Sequence, residues 1–599
     1  MRAHPGERGH KPSLHFPQTV SAPLQNYFDM ALLTPASSFS PNMSIQSVSA
    51  QRDLFLLVIV CTALFGLRLG SSPLPNPDES RYAEIPREML ATGDWVTPRL
   101  NGVNYFEKPP LVYWLVATSQ KIFGPKEWAV RAVPALFALG GVLLTYATAR
   151  RLYGRNAGLA ASLVLATALL YFALARILLL DMVVSVLMSA TLFCFILGVQ
   201  EPTGVRRRWL FYALYASMAL ATLAKGLIGF LATGAVMFTW LLLFKQWHRL
   251  RPFYLPTGAL LFLALAAPWH VLAALHNETW VHRYFVFEHW ERFTSSVASR
   301  PGPWWYFVPI VLFGLFPWTG FLWGALRFAL RGGWAARKEN VNAWFFVTWA
   351  AFIFLFFSKS HSKLPPYILP VFPPLAVLIG VWLATPVEAS QARFRGGLGI
   401  FSLICGLFGV AMLVTVLKTG LLIRDPVQAQ ALRPYAFVLA AIALAGAGLT
   451  PWLARARGSH TALGAMLVTV AAFYIALTFA VPDIQRPGTR ELALIVRARA
   501  QPGDRVMHYH EFIHDFTFYA DRVVDVVDGK GELELEEDAA ARASGRFPSD
   551  AEFRHLWMGS VRLWVVAEKP SVRRLFADPS FHYYLFGESR THLLFSNQP

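Results

Sequence analysis

The chain has 599 residues, of which 55% are hydrophobic and 15% are charged, and its formal net charge is +18. Soluble domains contain about 25% charged residues, so this composition excludes an ordinary soluble protein, and the long apolar runs indicate an integral helical membrane protein. The basic excess of a membrane protein lies mainly in its cytoplasmic loops, which argues against nucleic-acid binding.

The amino-terminal segment, residues 1–50, is predicted to be a tail outside the folded protein. Its first 42 residues are polar, rich in Pro and Ser, and lack the apolar stretch that a signal peptide needs. Met43 opens MSIQSVSAQRD, which resembles a natural amino terminus before the first span. Residues 1–42 are therefore expected to be either an upstream start artefact or a disordered tail, and we assign them no function.

About thirteen apolar segments within residues 51–481 are predicted to cross the membrane as helices. They are residues 54–70, 128–149, 156–175, 180–199, 209–224, 226–244, 255–275, 304–328, 342–357, 366–384, 396–417, 434–454 and 460–480. Cys61, Cys194 and Cys405 all lie inside such segments, so we expect neither disulfides nor a thiolate metal site. Alternate loops are rich in Lys and Arg and face the cytoplasm, whereas the acidic and aromatic loops face the opposite side, which in a bacterium is the periplasm.

Residues 71–127 form the first outward loop, and the stretch 76–114 is the most polar part of the membrane region. It holds acids and bases beside a row of aromatic residues that includes Tyr82 and Tyr105. A loop with both signs of charge against a membrane is where we expect an active site. Within it, Asp78 is predicted either as a helix cap or as an acid that faces a cavity at the membrane surface.

Asp181 opens the fourth predicted span and allows the same two interpretations, a cap or a carboxylate in a polar site. It lies on the same outer edge as Asp78. Because two acids at membrane level are costly to bury, their presence together favours a polar site. Lys225, in the sequence LAKG, adds a cation on that side.

Glu107 and Lys108 are followed by two prolines, which end any helix and fix the direction of the lysine. Lys108 is predicted either to anchor the loop among lipid headgroups or to bind a phosphate that Arg81 also contacts with two parallel hydrogen bonds. Lys363 and Tyr367, in the sequence SKSHSKLPPY, form a second cationic edge on the same side.

Charged and histidine side chains crowd residues 282–292, directly after the seventh predicted span. An amphipathic helix at the membrane interface is the simplest interpretation of this crowding, and Arg292 is a candidate cavity-lining residue. The alternative is a metal site in which His289 joins Glu107 around zinc or magnesium, although no ligand spacing supports it. We therefore expect no required cofactor.

Residues 482–599 change character, because strand-like segments such as RVVDVV alternate with helix-like ones. This region is predicted to be a small α/β domain on the outer side of the membrane. It contains the sequence HEFIH at 510–514, which fits the zinc-protease signature. That signature requires both histidines on one face of a helix, whereas this segment directly follows a strand, so we interpret the match as coincidental.

The stretch PDESRYAEIPREMLATGDWVTPRLNGVNYFEKPPLVYW, with LAKG and SKSHSKLPPYILP, resembles the bacterial lipid A aminoarabinose transferases. These are protein-mannosyltransferase-like membrane glycosyltransferases of the GT-C type. The resemblance covers most of residues 50–480, and the α/β region beyond also fits it. The first-loop motif is specific for the superfamily and less specific for the sugar or the acceptor.

The resemblance implies transfer of 4-amino-4-deoxy-L-arabinose from undecaprenyl phosphate to a phosphate of lipid A, with inversion at the anomeric carbon. It also implies a multi-pass protein of the bacterial inner membrane, in contact with membrane lipids, whose active site faces the periplasm. The modification of lipid A would give resistance to polymyxin and cationic peptides. We expect a monomer. By resemblance, Asp78 and Asp181 match the essential acids. The expected donor-phosphate ligands are Arg81, Lys108, Lys363 and Tyr367, and the expected lining residues are Glu107, Tyr82, Tyr105, Lys225 and Arg292.

Two other functions are open on the sequence alone. A polyprenyl-phosphate-dependent sugar transferase that acts on a protein or another glycan keeps the fold and changes the substrates. A lipid or solute transporter places charge near the middle of the bilayer on broken helices, often in repeats. Here the charge gathers at one face and the sequence shows no internal repeat, which favours an enzyme at the membrane surface.

Overall fold

The computed structural model describes residues 42–291, 300–385, 391–417, 426–485, 488–529, 533, 535 and 538–599. Its membrane region contains helices α1 (Asn42–Gly66), α2 (Asp78–Thr92), α3 (Leu111–Phe123), α4 (Glu127–Tyr153), α5 (Arg155–Thr167), α6 (Leu169–Leu174), α7 (Leu180–Gly198), α8 (Val205–Lys225), α9 (Ile228–Phe244), α10 (Leu255–His276), α11 (Phe307–Gly314), α12 (Thr319–Ala329), α13 (Val341–Lys359), α14 (Phe372–Ala384), α15 (Gln391–Leu417), α16 (Pro426–Ala456) and α17 (Ser459–Ile484). The first loop adds a small hairpin of β1 (Arg99–Leu100) and β2 (Val103–Asn104), which pair antiparallel. Short 3-10 helices occupy Trp247–Leu250 and Pro365–Val371, and a π-helix occupies His282–Glu291.

The predicted spans are all helical, but they differ in length and continuity. Among the described residues, nine helices are long and apolar enough to cross a membrane, and α11 with α12, bent by 102°, make a tenth candidate. The bend falls at Pro317, which cannot continue a helix. Three predicted spans fall short of these criteria. The 156–175 segment is interrupted at Ala168, α8 has three arginines directly after its first residue, and α9 has 17 residues.

The prediction of one continuous helix over 156–175 is therefore wrong. Ala168 has an extended backbone with ψ of 127° and separates α5 from α6. The next residue, Leu169, donates its backbone N–H to the Phe316 carbonyl at 3.0 Å. This bond gives the Leu169 N–H a partner that the interrupted helix does not provide, and it lowers the cost of the interruption inside an apolar region.

Helix α2 carries the polar first-loop motif, and it is almost entirely buried. It starts after Pro77, and its first turn contains two acids, which the positive end of a helix favours. It ends at Gly93, whose φ of 71° is left-handed and whose N–H donates to the Met89 carbonyl. Eleven consecutive residues, from Glu79 to Met89, are buried. Charged groups in such a place must be paired.

Glu79 and Arg87 of α2 form ion pairs with specific residues. Glu79 accepts from the Arg131 guanidinium of α4 at 2.7 Å, and both side chains are at most 3% exposed. Arg87 donates to Glu84 at 2.6 Å within the helix. The same guanidinium donates to Asp521, in the carboxy-terminal region, at 3.2 Å. The helix is thereby fixed by contacts to two distant parts of the chain.

Glu88 is bonded differently, because its carboxylate accepts two backbone N–H groups from the turn between β1 and β2, at 2.5 and 2.8 Å. Burial, and after it the charge of the nearby Glu84 carboxylate, raise the pKa of Glu88 to about 8, although the two N–H groups act in the opposite direction.

The carboxy-terminal region forms a mixed sheet with the order β4-β3-β5-β7-β6. Its elements are α18 (Arg490–Arg499), β3 (Arg505–Tyr509), α19 (His514–Ala520), β4 (Asp525–Val527), α20 (Ala539–Ala543), α21 (Asp550–Trp557), β5 (Leu563–Glu568), α22 (Arg573–Phe576), β6 (Tyr584–Glu588) and β7 (His592–Ser596). Strands β4, β3 and β5 run parallel, whereas β7 pairs antiparallel with β5 and β6. The α/β character predicted for this region is present, and its boundary at residue 482 stays a prediction.

The HEFIH segment does not have the geometry of a zinc protease. Residues 510–513 form a turn after β3, and α19 begins only at His514. The two histidines therefore do not share a helical face, which that chemistry requires.

The carboxy-terminal region packs on the first loop through buried and partly buried hydrogen bonds. Asn76, two residues before Asp78, donates Nδ2 to Asp515 Oδ1 at 2.5 Å and accepts the Asp515 backbone N–H at 2.7 Å. Asn101, in the β1–β2 turn, makes a matching pair of bonds with the backbone of Val524 at 2.8 and 2.9 Å. The sheet region thus holds the segment that carries the polar motif at two points, Asn76 and Asn101.

Candidate active site

Asp78 and Arg81 form an ion pair at the start of α2. Pro77 occupies the N-cap position and Asp78 is the first helical residue, so Asp78 is not the cap that one interpretation of the sequence predicted. Arg81 donates Nη2 to Asp78 Oδ1 at 2.5 Å, and the Arg81 side chain is 6% exposed whereas Asp78 is 54% exposed. The acid therefore faces the outside of the pair, and the cation lies in the protein interior.

Three buried tyrosines lie around the Arg81 side chain. Its guanidinium carbon is 5.2 Å from the ring centre of Tyr82 and 6.0 Å from that of Tyr105, and the Tyr82 and Tyr113 rings are 6.3 Å apart. The hydroxyl groups of Tyr105 and Tyr113 are buried and have no hydrogen-bond partner among the described residues. Buried hydroxyls are normally bonded, so these two are suited to bond a polar group of a substrate.

Three carboxylates from separate segments act on the same tyrosine. Burial raises the pKa of Tyr82 above its ordinary value, Arg81 lowers it, and the charges of Glu107, Asp78 and Asp181 raise it again. The structure therefore brings the two acids predicted to be essential close to the first-loop motif, although they lie about a hundred residues apart in the sequence.

Asp181 and Lys225 form a second ion pair between two helix ends. Asp181 lies in the first turn of α7 and Lys225 in the last turn of α8, which are the ends that favour an acid and a base respectively. Lys225 Nζ donates to Asp181 Oδ1, and both side chains are at most 16% exposed. The same ammonium lies 4.4 Å from the ring centre of Tyr367. Lys225 thus connects the predicted acid to the second cationic edge.

Lys108 is held by a glutamate that the sequence does not pair with it. Its Nζ donates to Glu288 Oε2 at 2.9 Å and to the Glu107 carbonyl at 2.8 Å, and the Glu107 carboxylate is 4.0 Å away. The Lys108 side chain is 19% exposed and Glu288 is 2% exposed. A lysine that reaches out to lipid headgroups would keep its ammonium in water, so this inward geometry favours the phosphate-binding interpretation.

Lys363 contacts its own segment through its side chain and the segment before α11 through its backbone. Its Nζ donates to the Ser360 carbonyl at 2.5 Å, and its backbone N–H donates to the Arg300 carbonyl at 3.2 Å. The side chain is buried at 7% exposure. Its assignment as a phosphate ligand therefore stays a prediction.

The proposed metal pair and Arg292 fall partly outside what the structure describes. The π-helix reaches Glu291, but the side chain of His289 and the whole of Arg292 lie outside the described residues. Glu107 is described, and it lies beside Lys108. The predicted metal site and the lining role of Arg292 both stay predictions.

The sequence analysis did not identify the buried ion pair of Glu79 and Arg131, which lies next to the site. Glu79 pairs with Arg131 and also accepts the backbone N–H of Leu178 at 2.5 Å, three residues before Asp181. One buried carboxylate thus links α2, α4 and the segment that leads to Asp181. The available signal in the sequence was a second acid, Glu79, directly beside Asp78.

Comparisons with known proteins agree with this arrangement. A family profile described as dolichyl-phosphate-mannose-protein mannosyltransferase matches residues 54–283. The undecaprenyl phosphate-alpha-4-amino-4-deoxy-L-arabinose arabinosyl transferase of Edwardsiella ictaluri is 33% identical over 364 residues, which cover 61% of this chain and 65% of that protein. The transferase 2 of the same name from Proteus mirabilis is 33% identical over 410 residues, which cover 67% of this chain and 70% of that protein. The crystal structure of ArnT from Cupriavidus metallidurans bound to undecaprenyl phosphate matches with a TM-score of 0.80 at 29% identity and covers 91% of this chain and 97% of that chain.

The helical architecture and the match to ArnT give a multi-pass membrane protein with the GT-C fold, as the resemblance predicted. Because the ArnT likeness extends over 91% of this chain, it includes at least part of the carboxy-terminal region as well as the membrane helices. The chain belongs to the family of undecaprenyl phosphate-alpha-4-amino-4-deoxy-L-arabinose arabinosyl transferases. The matched part spans about two thirds of the length of these relatives, 65% of the Edwardsiella protein and 70% of the Proteus protein.

Proposed function

We propose that this protein transfers 4-amino-4-deoxy-L-arabinose from undecaprenyl phosphate to a phosphate of lipid A on the periplasmic face of the bacterial inner membrane. The observation that carries the proposal is that the charges of Asp78, Asp181 and Glu107 all act on one buried tyrosine, Tyr82, whereas Asp78 pairs with Arg81 and Glu107 lies beside Lys108. Family membership supplies the substrate class, since the relatives are named for this sugar and this carrier lipid.

The chemistry of the transfer requires stabilised charge more than a strong base. The bond between the anomeric carbon and the donor phosphate oxygen breaks, and a bond to an oxygen of the acceptor phosphate forms on the opposite face of the sugar. Undecaprenyl phosphate leaves with one more negative charge than it carried as a diester. The acceptor phosphate is already an anion near neutral pH, so no group has to remove a proton from it.

The cations of the first loop suit the leaving phosphate. Lys108 is fixed between Glu288 and the Glu107 carbonyl, and Arg81 is fixed against Asp78, so neither has to reorganise as charge develops. Preorganised cations of this kind stabilise a transferring phosphate group most effectively in a site of low polarity. The unbonded hydroxyls of Tyr105 and Tyr113 are further donors close to Arg81.

The acids suit the sugar. The 4-amino group of the donor is a cation when protonated, and carboxylates are the side chains that bind an ammonium group with charge-assisted hydrogen bonds. Asp78 is more than half exposed, so its carboxylate is accessible to a substrate. Asp181 is held by Lys225 at the edge of the same cluster. We assign both acids to orienting the sugar and the acceptor.

A transfer to a protein or another glycan is the second candidate, and one observation favours it. The profile that matches residues 54–283 describes protein mannosyltransferases. A hydroxyl acceptor, unlike a phosphate, has to lose a proton, so one of the two acids would act as a general base. The two candidates therefore differ in the identity of the product and in the role of Asp78 or Asp181.

The test is mass spectrometry of lipid A from a strain that lacks its own aminoarabinose transferase and expresses this chain. We expect aminoarabinose on lipid A with the parent chain and none with Asp78→Ala. The matched control is Glu491→Ala, which removes an acid that is 81% exposed and lies in helix α18 of the carboxy-terminal region. It should leave the modification unchanged.

The outcomes separate the candidates. Unmodified lipid A, with folded protein in the membrane and the lipid-linked sugar present, would refute the lipid A assignment and favour another acceptor. Modification that persists in a folded Asp78→Ala variant would keep the activity but remove this residue from the site.

A further inference from the structure

The HEFIH segment lies at the carboxyl edge of the parallel strands, where α/β sheets commonly bind ligands. Strands β3, β4 and β5 run parallel and end at this edge. His510 directly follows β3, Asp528 directly follows β4, and Glu568 is the last residue of β5. Metal-ligating side chains therefore gather at one edge from three strands. The site described above uses none of them.

His510, Asp528 and Asp550 meet closely enough to share one cation. One ligand atom from each side chain lies within 4.8 Å of the other two. His510 Nε2 is 2.9 and 3.0 Å from the two oxygens of Asp550, at the start of α21. Two donor atoms about 2.1 Å from a cation are about 3.0 Å apart at the right angle of an octahedral site and about 3.4 Å apart at the tetrahedral angle that zinc prefers. The observed separations of 2.9 and 3.0 Å match the octahedral geometry of manganese and have to widen slightly for zinc.

The surrounding structure fixes these side chains in place. The His510 ring stacks on Tyr509 with ring centres 3.9 Å apart, and its backbone N–H donates to the Val527 carbonyl at 3.0 Å. His510 and Asp528 both have left-handed backbone conformations, with φ of 62° and 40°. Asp and His adopt such conformations more often than most residues other than glycine, and here the conformations set the directions in which the two side chains leave the backbone.

We propose that His510, Asp528 and Asp550 bind a divalent cation of the zinc or manganese class at the edge of the carboxy-terminal sheet. One imidazole nitrogen and two carboxylates form a ligand set that both metals accept. Because the ligands come from two strand ends and a helix start, the cation ties three elements together. The site is separate from the transfer reaction and stands whether or not the proposed function is right.

A neighbouring cluster provides the comparison. Glu511, Glu568 and His592 also have ligand atoms within 4.8 Å of one another. Glu511 Oε1 lies 3.0 Å from His592 Nε2. Because His510 and Glu511 are adjacent in sequence but belong to different clusters, exchanging one at a time distinguishes the two sets.

The experiment measures metal bound to the purified full-length protein in detergent, after treatment with a chelator and dialysis against Zn²⁺ or Mn²⁺. The parent chain should bind one saturable equivalent that His510→Gln and Asp550→Asn each lose, with affinity reduced at least tenfold. Glu511→Gln is the matched control and should retain this equivalent. A metal bound near Glu107 would add a second equivalent that none of these variants changes.

Thermal unfolding gives a readout that does not depend on activity. Zn²⁺ or Mn²⁺ should raise the unfolding temperature of the parent chain and of Glu511→Gln, but not that of His510→Gln. Both exchanged side chains are at the surface or partly exposed, so the variants should fold. The proposal is overturned if the parent chain binds no saturable metal that His510→Gln lacks, or if Glu511→Gln loses the equivalent while Asp550→Asn keeps it.

Discussion

Asp515 is the residue whose removal should show whether the carboxy-terminal region holds the first loop in position. Its buried carboxylate accepts hydrogen bonds from Asn76 Nδ2 at 2.5 Å, from Thr489 N at 2.7 Å and from Thr489 Oγ1 at 2.9 Å. Asn76 in turn accepts the Ser80 hydroxyl at 2.9 Å, on the first turn of α2. Asp515→Ala therefore removes the side-chain bond to Asn76, which precedes Asp78, while the Asp515 backbone N–H still donates to Asn76 Oδ1 at 2.7 Å.

The size of the effect follows from what each partner loses. Asn76 is exposed and can bond water instead, whereas Thr489 is fully buried. A buried donor left without a partner costs about 1–3 kcal/mol, so the two donors of Thr489 should together cost about 2–6 kcal/mol of unfolding free energy. We also expect the transfer activity to fall, because Asn76, which precedes Asp78, loses one of its two hydrogen bonds to Asp515. Asp515→Asn keeps one acceptor and should lie between the parent and Asp515→Ala.

Two measurements check this prediction. Thermal or denaturant unfolding in detergent gives the change in stability, and hydrogen exchange of residues 74–82 gives the local opening of the first loop. Glu491→Ala removes an exposed acid and should change stability by less than about 0.5 kcal/mol.

The reasoning would be refuted by an Asp515→Ala variant with parental stability and parental exchange across residues 74–82. A second refuting result is increased exchange around Thr489 with no increase around Asn76. That outcome would show that the sheet region and the first loop open independently.

Three further predictions concern the charges of the site and of α2. Lys108→Ala should lower the transfer rate by roughly 10²–10³-fold, the usual cost of losing one preorganised charge-stabilising group. Lys108→Arg should retain part of the parental rate. Mass spectrometry of lipid A treated with the purified, folded variants measures both rates. Asp181→Asn and Lys225→Met should each destabilise the protein by about 3–5 kcal/mol, because each leaves a buried charge unpaired. The double variant should lose less unfolding free energy than the sum of the two single variants. Unfolding of the parent chain, the two single variants and the double variant tests this. Glu88 has its pKa raised to about 8 by burial, so it binds its proton more tightly when folded, and stability should fall as pH rises from about 4.5 to about 8. Glu88→Gln should flatten that pH profile, and an unchanged slope would contradict the assignment.

The composition and the first-loop motif predicted the membrane fold and the location of the polar cluster, because apolar length and charge density are local properties of the sequence. Asp78, Arg81 and Lys108 were singled out for that reason. Their partners were only partly predictable. Lys108 and Glu288 lie 180 positions apart and meet at 2.9 Å, and nothing local specifies that contact.

The HEFIH segment matches a signature in the sequence without having its structure. A strand precedes the motif and α19 begins only at its last residue, so it is not a protease site. The sequence did not indicate that His510 meets Asp528 and Asp550, since that depends on which strands run parallel. Chain order alone does not determine the order of strands in a sheet.

The ion pairs of α2 described above limit how the first loop can be exchanged between relatives. Glu79 depends on Arg131 of α4, and Arg87 depends on Asp521 of the carboxy-terminal region. A chimera that transplants residues 71–127 alone would separate these ion pairs and leave buried charges without partners. Loop grafts intended to alter sugar specificity should therefore carry α4 and the 515–525 segment with them, and natural substitutions at these positions should occur in matched pairs.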